Sequence, residues 1–207
     1  MGYLVGLDDL YKIASIVGSG AVIFIGYQLR LSYTQFKADH ERSRREKSVE
    51  ILIEWSRNLK KEGSLARKIV ECFSEEQCRE LVNQQEIKID IKYEKLLIHL
   101  FGSEEKFQKV NELLTVSVAQ SVELRWYVIS YLNSLEFCLV AWQNAIVDKE
   151  IIETQFDYLF RPSDGHEVLK NFRKAAGGEN SYPAIEVFTA HLAEKRRQHL
   201  VQKANVG

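Results

Sequence analysis

The chain has 207 residues, with 28 Lys and Arg against 29 Asp and Glu, a formal net charge of −1. That balance excludes a protein that coats nucleic acid by bulk charge, and no DNA partner is expected. With 45% apolar and 28% charged residues and only two prolines, the composition excludes disorder and favours long helices over many short strands.

The first element is the apolar run Ile13–Tyr27, fifteen residues without a charge, which Gln28 and Leu29 extend to seventeen. At about 1.5 Å per residue the longer count covers roughly 25 Å, close to the ~30 Å hydrocarbon core of a bilayer. Asp8 and Asp9 precede it; Arg30, Lys37, Arg42, Arg44, Arg45 and Lys47 follow. This polarity is that of an uncleaved anchor, N-terminus outside and bulk in the cytoplasm, not of a removable signal peptide. The expected address is a bacterial inner membrane, crossed once. The alternative is a buried core helix, against which stands the abrupt change to a charged run. Within the run, Ala14 and Gly18 lie four apart, as do Ser15 and Ser19, with Ala21 beside them. Small residues at this spacing let helices approach closely in lipid. They serve packing between subunits or, in a ring of copies, line a conduit. The basic residues from Arg30 to Lys47 are placed to meet anionic headgroups.

Three segments follow: an anchor over 1–30, a basic juxtamembrane helix over 31–62 and a helical bundle over 63–207. Neither Gly nor Pro occurs between Tyr27 and Glu62, so one helix is predicted to continue to Gly63, with Val49, Leu52, Ile53, Trp55 and Leu59 as core contacts. A short helix from Ser64 to Phe73 and a capping box at Ser74–Gln77 come next. Ile87, Ile89 and Ile91 alternate like a strand, and a helix is predicted from Ile91 to Gly102. The run Ser103–Val147 reads as two helices with a turn near Thr115–Gln120, its core formed by residues such as Val122, Trp126, Leu132, Leu139, Trp142 and Ile146. Asp148 caps another helix, "RPSDG" breaks the chain, His166–Ala176 forms a helix, and Pro183 opens the last one. The fold class is all-α: a membrane helix continuing into a cytoplasmic bundle.

Common catalytic signatures such as GxxxxGK[ST], HExxH and GxSxG are absent. No cofactor and no metal are expected: the three cysteines, Cys72, Cys78 and Cys138, lack CxxC pairing and read as small buried residues in a reducing compartment. His99 in "LLIHLF" reads as a core histidine, and His191 and His199 suggest no metal. Arg161 and His166, in "RPSDGH", are the one candidate catalytic pair. They resemble the R-x4-6-H motif of HEPN ribonucleases, helical bundles that act as dimers. The resemblance implies metal-free chemistry in which the His moves protons and the Arg stabilises phosphate charge. Pro162 stands where that family usually has a polar residue. The structural alternative is an Arg closing one helix and a His opening another.

Taken along the chain, "GYQLRLSYTQ", the basic helix and "YLNSLEFCLVAWQNAIVDKEII" resemble an uncharacterised bacterial family of single-span membrane proteins. With "RPSDGH" added, the chain is similar to the HEPN-like accessory membrane proteins encoded beside type VI-B CRISPR effectors. That resemblance implies a homo-oligomeric pore in the lipid bilayer that enhances antiviral defence, with a CRISPR effector or its RNA products as partner. A tethered metal-independent endoribonuclease and a non-catalytic scaffold are the competing expectations.

Overall fold

Length and apolar period set the frame of a mostly helical chain, 76% helix in a computed structural model. It describes residues 7–102, 107–162 and 165–204, without the side chains of 7–23, 179 and 204. Helix α1 runs Leu7–Asn58, followed by α2 (Lys61–Val70), α3 (Glu75–Val82), β1 (Ile87–Asp90), α4 (Glu94–Phe101), β2 (Gln108–Val110), β3 (Leu113–Val116), α5 (Val118–Gln143), α6 (Lys149–Phe156), α7 (Lys170–Ala175) and α8 (Pro183–Ala204). The chain divides into two units, Met1–Arg44 and Arg45–Gly207.

The first unit is the N-terminal part of α1. Its described apolar side chains Phe24, Ile25, Tyr27, Leu29, Leu31, Tyr33 and Phe36 are 42–75% exposed. Among the described residues no helix is long and apolar enough to cross a membrane. Most of the expected span, including Ala14, Ser15, Gly18, Ser19 and Ala21, lies outside the described side chains.

In the second unit α5 is the central rod, apolar around much of its circumference. Val128, Leu132, Leu135 and Leu139 bury one side of it against α2 and α8. Trp55, near the end of α1, meets Tyr131 and Phe156 edge-on at ring-centroid distances of 5.5 and 5.3 Å, which joins α1, α5 and α6. Ser74 and Gln77 form the expected capping box on α3, and Asp148 Oδ1 accepts from the amides of Glu150 and Ile151 to start α6. α8 begins at Pro183 as read, and Glu136 of α5 completes its start by accepting the N–H groups of Ala184 and Ile185 at 2.8 and 2.9 Å.

Several expectations are corrected. α1 ends at Asn58, and Gly63 lies inside α2 instead of closing α1. Residues 108–116 form a β-hairpin, not helix, in a sheet ordered β1-β3-β2, all antiparallel. Ile87 and Ile89 face Val116 and Leu114, and all four are buried; the alternation of β1 is therefore a true period-two signal. The helix expected from His166 is only α7, because Val168 and Leu169 before it take left-handed φ of 48° and 57°. Val122, Trp126, Ile146, Val49 and Ile53 are exposed, not core, since each falls on the outer face of its segment. Cys72 is exposed whereas Cys78 and Cys138 are buried. His99 is exposed, with Nδ1 3.2 Å from Lys95 O.

Candidate functional site

Glu153 and Asp157 are four residues apart, so α6 and the 3-10 turn after it place both carboxylates on one side, toward α8. Glu153 Oε1 accepts from Trp142 Nε1 at 3.3 Å and His191 Nε2 at 2.9 Å, and Oε2 accepts from Lys195 Nζ at 2.6 Å. Asp157 Oδ1 accepts from Arg196 Nη2 at 2.6 Å, and Oδ2 from Arg161 Nε at 2.8 Å. Arg196 also donates to Phe160 O. Around these groups lies an open cleft of about 350 Å³, lined by Glu153, Thr154, Asp157, Arg161, Lys195 and His199 among others.

Burial alone would raise the Glu153 carboxyl, but the hydrogen bond and charge of Lys195, then His191 and Trp142, outweigh it and hold its pKa below the ordinary value. Asp157 follows the same balance: burial raises it, and Arg196 and Arg161 lower it further. Both carboxylates are ionised and saturated with donors near neutral pH. They clamp α6 to α8 and are not poised to exchange protons.

Arg161 and His166 share a backbone bond, His166 N–H donating to Arg161 O at 3.1 Å. Their side chains line different clefts. Arg161 is engaged by Asp157, while His166 lines a cleft of about 400 Å³ with Glu167, Lys170, Arg173 and Glu186. Between two of its lining residues, Glu167 and Lys170, runs the buried, strained Val168–Leu169 segment. Glu71 Oε1 holds it by accepting the amides of Glu167 and Leu169 at 2.9 and 3.0 Å. Arg173, nearly fully buried, donates to Val168 O and to Glu186, and burial pulls its pKa down from the ordinary arginine value.

Of the basic residues expected at headgroups, Arg30, Lys37 and Arg42 are exposed and Arg44 is half-buried. Arg45 pairs with Asp148 at 3.5 Å and Lys47 with Glu50 at 2.6 Å. Among the described residues no group of three or more His, Cys, Asp or Glu side chains is arranged to hold a metal ion. The carboxylates at 153 and 157 were missed at the sequence level; their signal is the i,i+4 spacing in "ETQFD" opposite the basic run "EKRRQH". No family model, curated protein or solved structure matches the chain.

Proposed function

We propose that the protein is a non-catalytic, membrane-anchored homo-oligomer, a pore of the kind its resemblance to CRISPR-associated accessory proteins implies. The observation that carries this reading is the surface of α1 between Phe24 and Phe36. At 100° per residue, Phe24, Ile25, Tyr27 and Tyr33 point to four sides of the helix, yet all are more than half exposed. Large hydrophobic side chains on every side of a helix are favourable where lipid or neighbouring helices surround it. Arg161 and His166 facing separate clefts supports a structural role for the pair. The test is fractionation of lysed cells, followed by light scattering of the detergent-solubilised protein and dye leakage from vesicles. Pelleting with membranes, a mass of several chains and leakage are expected; protein left in the supernatant overturns the reading.

One observation favours the ribonuclease alternative. Arg161 shares its cleft with Lys195 and Arg196, cations suited to a phosphate backbone. RNA cleavage in EDTA that disappears in Arg161→Ala establishes it, and intact RNA removes it.

A further inference from the structure

Among the described residues, helix α5 carries a second apolar face that is largely exposed. Val118, Val122 and Trp126 are followed by Ile129, Asn133 and Phe137, each eleven residues on from its counterpart, and Val140 begins the third round. Val118, Val122, Trp126, Phe137 and Val140 are 40–63% exposed, Asn133 is exposed and Ile129 half-buried. An eleven-residue repeat averages about 3.67 residues per turn, close to a straight α-helix, so the stripe stays on one side along its whole length. The three charges of α5 lie at its borders or beyond, Glu136 about five turns on from Val118. Glu123 accepts from Tyr127 Oη, Glu136 holds the start of α8, and the Arg125 Nε is buried.

We propose that this stripe pairs with the same stripe of a second copy of the chain, parallel and in register. Self-pairing follows from its chemistry: it is apolar except for one amide, and an amide both donates and accepts, so Asn133 satisfies its own counterpart across a two-fold axis. A single Asn in such a seam fixes register. The area suffices. The stripe is about 33 Å long on a helix about 10 Å across, whose facing half exposes roughly 600 Å². The groove beside it, about 380 Å³ and lined by Glu54, Asn58, Asn133 and Phe137 among others, extends this toward the ~800 Å² per partner of a stable dimer.

The parallel orientation rests on the membrane-anchored reading. Ser48 meets Asp148 just beyond the C-terminal end of α5, whereas Asn58 lines a pocket with Trp126 and Tyr127, so Arg45–Asn58 runs antiparallel to α5. A parallel pair brings the Arg45 ends of both copies to the same side, as two anchors in one bilayer require. An antiparallel pair sends them apart.

The test uses the full-length chain with the exposed Cys72 changed to Ser and one new cysteine, Asn133→Cys, under mild oxidation. A cross-linked product of twice the chain mass is expected, and Phe137→Glu or Val140→Lys in the same background should reduce it by at least about tenfold, since each buries an unpaired charge in the seam. Glu76→Cys, exposed on α3, is the control. No product beyond that control, a product of some other mass, or one insensitive to both charge substitutions overturns the proposal. So does cross-linking of Ile129→Cys without Asn133→Cys, the pattern of antiparallel pairing. Pelleting is measured on the same samples: protein that cross-links but stays soluble counts against the anchor alone, and protein that pellets without cross-linking counts against the pair alone.

Discussion

Glu153 receives an indole N–H, an imidazole N–H and an ammonium while almost out of water. Removing its charge leaves those donors facing an amide that matches only some of them. Glu153→Gln is expected to destabilise the fold by about 1–3 kcal/mol, read from the midpoint of chemical unfolding at pH 7. The pH dependence has a definite sign. Glu153 and Asp157 both have folded pKa values held below ordinary, so the stability they contribute is complete above their unfolded values of about 4.3 and 3.9. It is lost as pH falls through the lower folded values. Wild type should therefore hold its melting temperature from pH 7 to about 5 and lose it below about 4, a loss that Glu153→Gln blunts. None of this was legible as a site in the sequence, because a carboxylate reveals its partners only when α6 and α8 are side by side. Arg161, read from the sequence as half of a candidate pair with His166, has its side chain engaged by Asp157, four positions before it.

Helix ends show where local chemistry speaks and where it is silent. Ser74 with Gln77 and Ser117 with Gln120 both form reciprocal capping boxes, and each is written in the sequence as Ser-x-x-Gln. At the second, the sequence points to a turn near Thr115–Gln120 between two helices, but the hairpin that precedes it depends on β1 being there to pair with. The ends of α3 and α5 carry no glycine. Each closes in a Schellman motif: Gln85 N–H to Glu80 O at 2.9 Å and Ile146 N–H to Ala141 O at 3.0 Å. Gln84 and Ala145 occupy the left-handed position, at φ of 56° and 53°. A side chain there costs about 1 kcal/mol relative to glycine. Ala145→Gly, at an exposed site, is accordingly expected to stabilise the protein by roughly 0.5–1 kcal/mol, seen as a rise in melting temperature. A loss of stability would show that the motif is not under strain.

At the scale of the whole second unit, Trp55 is the residue through which three helices meet. Its truncation in Trp55→Ala removes two edge-on ring contacts and opens a cavity among α1, α5 and α6. The expected cost is about 3–5 kcal/mol, measured by chemical unfolding of the solubilised chain. A cost below about 1 kcal/mol would mean that α1 does not seat in the core. The same scale explains the misassigned residues of α5. Its apolar residues run around most of the cylinder, so composition marks the helix as central without saying which stripe faces α2 and α8 and which faces outward.

Composition, scarcity of breakers and apolar period by themselves determined a mostly helical chain, with α6 and α8 starting at Asp148 and Pro183 and a capping box at Ser74, because these features rest on interactions within a few residues. Tertiary structure decided the rest. It set the pairing of β1 with β3, the inner and outer faces of α5, the clamp of Glu153 and Asp157 on α8, and the separation of Arg161 from His166. Each joins groups distant in sequence, and only packing brings them within range of one another.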